Sequence, residues 1–269
     1  GKIAVRCAGK LVGAIERGLV VDATLDVFES DWLKAMFARE RDTVRAEHDA
    51  LQVGNASPTS VEPSLVGRVG QHMLRRAIQL IRNARHGGMI LVVNTNAEPA
   101  HGLGGLRLKY RLGQDEASHR YRALLFRILD TVAASTSKTS VGWSDFALDP
   151  SPHLEKLEQA VFEWSRVMAN LAAIDGAVVL DKRFGLLGFG AEVSAELPTP
   201  VRVYRALDTE GHDREPEDVE NVGTRHRAAY RFAGDHPDGL ALVVSQDGGV
   251  TFVANRGGEV VFWDQSVSP

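Results

Sequence analysis

The stretch Gly223-Thr224-Arg225-His226-Arg227-Ala228-Ala229 sets two guanidiniums and an imidazole side by side, directly after a glycine. The pattern predicts a helix over Arg225–Ala233, with the Thr224 hydroxyl as its N-cap. Basic residues are unfavourable at the positive end of a helix dipole. Free backbone N–H groups at a helix start attract anions, and two guanidiniums beside them make a phosphate site. The plainer alternative is a basic first turn on a solvated face. Downstream, Leu240–Ser245 and Val250–Ala254 read as a hairpin around Gly248-Gly249, and Glu259–Trp263 as a closing strand.

A second stretch lies upstream. Ile174-Asp175-Gly176-Ala177-Val178-Val179-Leu180 opens on Asp-Gly-Ala, and Val178–Leu180 reads as a buried strand. Asp175 at its mouth can hold a divalent metal or take a proton. Gly176 can let a ligand approach the backbone. By itself Asp-Gly is a common turn. The apolar positions Leu157, Val161, Trp164, Val167, Met168 and Leu171 recur at helical spacing and predict a helix over Leu154–Ala173 that delivers the chain to Asp175.

Together these motifs resemble the diadenylate cyclase (DAC) domain family. Its members carry Asp-Gly-Ala, then Gly-Thr-Arg-His-Arg-Ala-Ala, then Val-Val-Ser followed by acidic residues; here the last part reads Val243-Val244-Ser245-Gln246-Asp247. The Arg85-His86-Gly87-Gly88-Met89-Ile90-Leu91 run is loosely similar to the family's Arg-x-Gly-Ala-Leu-Ile-Val, with one residue more. The resemblance covers residues 64–264. It implies an α/β (α+β) fold, a central mixed β-sheet flanked by helices. It also implies one ATP per domain and two domains face to face in a homo-oligomer. Such a pair condenses two ATP into cyclic di-AMP with release of pyrophosphate, assisted by Mg²⁺ or Mn²⁺.

Carried onto this chain, the resemblance makes Asp175 the catalytic residue, binding metal and orienting or deprotonating the attacking hydroxyl. Gly176 and Ala177 contact the nucleotide through backbone, Thr224, Arg225, His226 and Arg227 hold the phosphates, and Ser245 adds a phosphate contact. Asp247 falls at a second metal position. Phe189 and Glu192 fall on the strand that lines the base pocket. Three departures stand out: Ser245-Gln246-Asp247 replaces the family's Ser-Glu-Glu, Phe189-Gly190-Ala191-Glu192-Val193 replaces a bulkier apolar pair, and residues 194–222 form a longer connection, read as a surface insertion. With the extra N-terminal segment, this pattern also resembles DAC-derived domains proposed as nucleotide sensors in bacterial signalling and defence. Two functions therefore stand side by side: a cyclase, and an inactive sensor domain that holds a nucleotide or cyclic nucleotide second messenger.

Composition narrows the field. The chain has 269 residues, 44% hydrophobic and 25% charged, ordinary for a globular protein. Its formal net charge of -4 argues against nucleic acid and anionic membrane as partners. The single cysteine, Cys7, excludes an internal disulfide framework and fits a reducing cytoplasm. No apolar run approaches the roughly 18 residues of a membrane helix, and no signal peptide is expected.

The rest of the chain divides at residues 53–63, a Gly-, Ser- and Pro-bearing stretch read as a linker. Residues 1–60 are expected to form a small β-meander plus one helix over Asp31–Leu51, capped by Ser30, whose Arg39–His48 part is solvated. After the linker, Leu65–Arg85 reads as a helix stopped by a left-handed cap at Gly87-Gly88, followed by the strand Met89–Val93. Residues 94–105 form a glycine-rich loop that either lines a cleft or is plainly mobile. His119–Ala134 reads as a helix and Thr136–Pro152 as a loop. Phe184–Val193 reads as a strand. In the insertion, Thr199–Ala206 is a candidate strand and the acidic run Glu210–Glu220 is expected to be mobile.

Overall fold

The computed structural model of the chain describes residues 2–7, 10–16, 19–22, 25–51, 59–95, 103–112, 117–134, 138–148, 151–219 and 222–265. Strands β1 (Lys2–Cys7), β2 (Lys10–Glu16) and β3 (Leu19–Asp22) form a separate antiparallel sheet in chain order, the meander expected there.

The main body is a nine-stranded mixed sheet. Its centre is β5 (Gly88–Val93), flanked on one side by β8 (Ala177–Asp181), β9 (Leu186–Val193) and the edge strand β6 (Leu106–Arg111). On the other side lie β12 (Leu240–Val244), β13 (Val250–Arg256), β14 (Glu259–Gln265), β10 (Val203–Ala206) and the edge strand β11 (Arg214–Glu217). β5 pairs in parallel with β8 and β10 in parallel with β14; the other pairings are antiparallel. A parallel pair needs a crossover, and the β5-to-β8 connection supplies it with helices.

Side chains alternate across each strand, and the two faces bury different partners. Ile90, Val92, Val178, Leu180, Leu242 and Phe252 meet a layer of helices. That layer comprises α1 (Asp31–Met36), α2 (Ala38–Leu51), α3 (Pro63–Ala84), α4 (Ala117–Ala134), α5 (Trp143–Leu148) and α6 (Pro152–Ala172). Met89, Leu91, Val179, Ala241, Val243 and Val253 meet a single helix, α7 (Thr224–Asp235), through Ala229, Tyr230, Phe232 and Ala233. Burying Phe232 completely is worth about 1.5–3 kcal/mol, so α7 is firmly seated.

Several local expectations change. The helix over 31–51 is two helices, separated at Phe37, which stacks on Phe184 at 5.2 Å. Its charged face is not all solvated: Glu40 and His48 are buried, and Glu40 accepts a 2.6 Å hydrogen bond from Arg183 Nε. Val27, Phe28, Trp32, Leu33 and Val44 share the core of the main sheet, and the Trp32 ring stacks on Trp263 at 4.6 Å. The left-handed cap of α3 is Arg85 (φ 56°), two residues before Gly87. The stretch read as a loop over 136–152 contains α5 and a short strand β7 (Ser140–Val141) pairing with β4 (Ser60–Val61). Val167, expected to pack, is exposed.

The insertion is ordered where described. β10 and β11 extend the sheet, so the acidic run is not simply mobile: Arg205 and Glu217 pair across the two strands at 3.3 Å. The linker at 53–58 and the glycine-rich loop at 96–102 lie outside the described residues.

Candidate functional site

Strand register decides what meets at one end of the sheet. Ile90 pairs with Val178 in parallel, so the start of β5 lies beside the start of β8, where Asp175 and Gly176 sit. Val244 pairs with Gly88 in antiparallel fashion, so the end of β12, and Ser245 after it, lies beside Gly87. Helix α7 returns into β12 through residues 236–239, which sets it antiparallel to that strand. Its 12 residues rise about 18 Å and the 5 residues of β12 about 17 Å, so its N-terminus reaches the same end. The two principal motifs, distant in sequence, are thereby joined on one edge.

Gly87 is the meeting point. It has φ +66°, and a Cβ there would lie 2.8 Å from Arg225 Nη1 and 2.9 Å from the Val244 carbonyl oxygen. Arg225 Nη2 donates to the His86 carbonyl at 3.5 Å, which holds the half-buried guanidinium over the start of β5. His86 and Gly87 carry no role in the motif reading. The basic run Arg82, Arg85, His86 ahead of two glycines was their signal.

At the start of α7 the cap position belongs to Gly223, not Thr224, and no side chain caps it. The first backbone bond of the helix runs from Arg227 N to the Gly223 carbonyl at 3.1 Å. The N–H groups of Thr224, Arg225 and His226 therefore have no acceptor among the described residues, and the first turn has no acidic residue. Thr224 and Arg227 are exposed. His226 turns inward, its Nε2 at 3.3 Å from Thr251 Oγ1, whose hydroxyl is 3.5 Å from Asp264 Oδ1. Burial holds the His226 imidazole below the usual histidine range, against the pull of Asp264 and Asp247. It is thus neutral near pH 7 and contributes shape and a backbone N–H rather than charge.

Ser245 and Asp247 belong to the β12–β13 turn and pair with each other. The Ser245 hydroxyl donates to Asp247 Oδ1 and lies 3.2 Å from the Gly249 carbonyl oxygen, and Gly249 N–H donates to Asp247 at 3.3 Å. The Ser245 hydroxyl, then the Gly249 N–H, holds the Asp247 carboxyl below the usual range. Asp175 contrasts with it: exposed, with no hydrogen bond or ion pair among the described residues.

Gly176 serves the fold. Its φ is +105°, and a Cβ would lie 2.6 Å from the carbonyl carbon of Gly190, so the missing side chain admits the backbone of β9. The approach that the absent side chain permits here is that of the Gly190 backbone. Ala177 is buried. Phe189 stacks on Tyr110 of β6 at 4.7 Å, and a Cβ on Gly190 would lie 3.5 Å from both the Tyr110 ring and the Asp175 carbonyl oxygen. Gly190 thus separates the partly exposed Tyr110 ring from the Asp175 backbone. Glu192 is exposed and pairs in register with Arg107. Among the described residues no three or more His, Cys, Asp or Glu side chains cluster to hold a metal. One free carboxylate does suit Mg²⁺, which is commonly bound through one or two carboxylates plus substrate phosphates and water.

No protein-family model matches the chain, and no curated protein matches it. Among solved structures it is similar to the hypothetical membrane spanning protein from Bacillus cereus, at 20% identity and a TM-score of 0.37. That match covers 73% of this chain, which spans 63% of the other's length. Similarity at that level carries no argument about function. Among the described residues no helix is long and apolar enough to cross a membrane.

Proposed function

We propose that this edge binds ATP and that two protomers, facing each other, condense two ATP into cyclic di-AMP with release of two pyrophosphates. The observation that carries the reading is that Arg225 and the open start of α7 meet β5 at Gly87, at the end of the sheet where the β5–β8 register also sets Asp175. Arg225 and Arg227 hold phosphate oxygens, joined by the N–H groups of the first turn. Tyr110 and Phe189 offer an aromatic face to the base, one residue from the Asp-Gly-Ala turn. Asp175 orients the 3′-hydroxyl of one nucleotide toward the α-phosphate of the other and accepts its proton, and the pyrophosphate leaves opposite. A divalent Mg²⁺ or Mn²⁺ would be held by Asp175 and the phosphates, and supplies charge neutralisation. Such a site works by positioning and electrostatics, and it belongs where ATP is plentiful, in the cytoplasm.

One observation favours a second reading. The Asp247 Oδ1 is tied to the Ser245 hydroxyl and the Gly249 N–H within its own turn, which leaves only its Oδ2 to serve beside Asp175. A sensor that holds a nucleotide without turnover needs only the basic side of the site. Incubation with ATP and Mn²⁺ or Mg²⁺, with chromatographic separation of products, separates the two. The cyclase gives a cyclic dinucleotide at a specific rate that rises with protein concentration until dimers saturate. Measurable ATP binding by the dimer with no product in either metal selects the sensor.

A further inference from the structure

At the opposite end of the sheet a cavity of about 190 Å³ lies between α1, α2, α3, α4 and the turn joining β8 to β9. Five aromatic side chains line it: Phe28, Phe37, Tyr121, Phe184 and Phe252. Its polar wall is one-sided, with the cations Lys34, Arg41, Arg68, Lys182 and Arg183 against the single carboxylate Glu40. Lys34, Arg41, Arg68 and Arg183 are each paired with a carboxylate. Lys182 has no ion pair among the described residues and is half-buried.

Two buried polar groups have no partner. Tyr121 is 1% exposed, and its hydroxyl makes no hydrogen bond among the described residues; Gln71 Oε1, also at the wall, is likewise unsatisfied. Leaving such groups dry costs free energy, and native structures pair nearly all of them. A further sign is backbone strain: Phe184 adopts φ 61°, a left-handed conformation costly for an aromatic residue, and such outliers gather at ligand clamps. The Asp181 carboxylate fixes that turn by accepting the N–H groups of Arg183 (2.8 Å) and Gly185 (2.7 Å).

We infer that this cavity is a binding site for a small monocyclic aromatic carboxylate, its ring among the phenylalanines, its carboxylate on Lys182, and Tyr121 donating a hydrogen bond to it. Size agrees: an apolar cavity of about 150 Å³ holds a benzene ring, so about 190 Å³ admits the ring and a short acidic arm. Charge agrees, since the unpaired wall group is a cation. Burial holds the Lys182 amine below the usual lysine range, against the pull of Asp238 and Glu40, and an anion on it would favour the charged form. The inference is independent of the nucleotide reading.

Calorimetric titration of the full chain with phenylacetate, phenylacetamide and benzylamine tests it. Phenylacetate is expected to bind one saturable site with Kd on the order of 0.1–1 mM, and benzylamine not at all. Lys182→Gln should weaken phenylacetate about tenfold or more and leave phenylacetamide unchanged. Tyr121→Phe should weaken phenylacetate severalfold while raising the Tm of the ligand-free protein, because a dry hydroxyl is removed. Failure of all three compounds to bind by about 10 mM overturns the site. Benzylamine binding as well as phenylacetate, or affinity indifferent to both variants, overturns the assigned chemistry. A lower Tm for Tyr121→Phe shows that the hydroxyl has an internal partner and removes the floor of the site.

Discussion

Replacing Gly223 by Asp tests the helix start directly, because it should move stability and binding in opposite directions. Gly223 is the N-cap, at φ -63° and ψ 160°, and a Cβ there meets nothing within 4 Å. Aspartate is at home in that conformation. Its carboxylate would accept from the uncapped N–H groups of Arg225 or His226. Glycine is itself a fair N-cap, so the cap gains only a few tenths of a kcal/mol, with about 0.3–1 kcal/mol from the dipole. At roughly 2–4 °C per kcal/mol for a chain of this size, Tm should rise by about 1–5 °C. The same carboxylate occupies donors assigned to phosphate and repels it. Loss of one charge-assisted hydrogen bond, about 1.5–3 kcal/mol, is a fall in ATP affinity of about 10- to 150-fold. Thermal unfolding and calorimetry with ATP read both numbers, and Gly223→Asn, a neutral cap, should stabilise with a smaller loss of affinity. A higher Tm with unchanged ATP affinity would refute the phosphate site at α7. A lower Tm would refute the open helix start itself.

If the protein is a cyclase, Asp175→Asn should cut turnover by orders of magnitude and ATP affinity much less, since Arg225 and Arg227 remain; turnover and calorimetry measured together check it, and equal losses in both would count against a role in the reacting step. Gly176→Ala should cost on the order of 2–4 kcal/mol in urea unfolding, because φ +105° is strained for alanine and its Cβ meets Gly190 backbone at 2.6 Å; a near-neutral result would show that β8 and β9 do not close as described. Stability should fall as pH drops below the ordinary histidine range, about 6.5. Burial depresses His72, His226 and His236, so the unfolded chain binds more protons there. Urea titrations at about pH 7.5 and pH 5.5 check the sign, and His236→Gln should reduce the slope.

The sequence made the centre of this fold readable and its margins hard to read, for a physical reason. Helices α3, α4 and α6 each bury one stripe, and β5, β8, β12 and β13 are buried on both faces, so their apolar periodicity is strong. Edge strands have one neighbour and keep their outer side wet. β6 alternates Leu106 and Leu108 with Arg107 and Lys109, and β11 reads Arg214-Glu215-Pro216-Glu217, the charge and proline that discourage further pairing. Such strands resemble loops in sequence. The break at Phe37 was invisible too, since it depends on Phe184 and on Gly70, where a side chain would collide with the Phe184 ring.

The charged members of the candidate site stand out in the sequence because charge at a helix start is anomalous by itself. The glycines were not, because a glycine signals close approach without saying by what. At Gly176 the approaching group is β9 backbone, and at Gly87 it is Arg225 with the Val244 carbonyl. What remains to face a ligand is therefore side chains and helix N–H groups: Arg225, Arg227, the first turn of α7, Tyr110 and Asp175. Two guanidiniums and a helix terminus worth roughly half a unit charge do not neutralise a triphosphate, and Asp175 adds a further negative charge beside it. Repulsion between Asp175 and phosphate is relieved if a divalent cation lies between them, and one free carboxylate plus phosphate oxygens is a common way to hold Mg²⁺. Asp175 is thus the residue by which the two readings differ: with a cation it can position a hydroxyl, and without one it weakens the binding that the arginines provide.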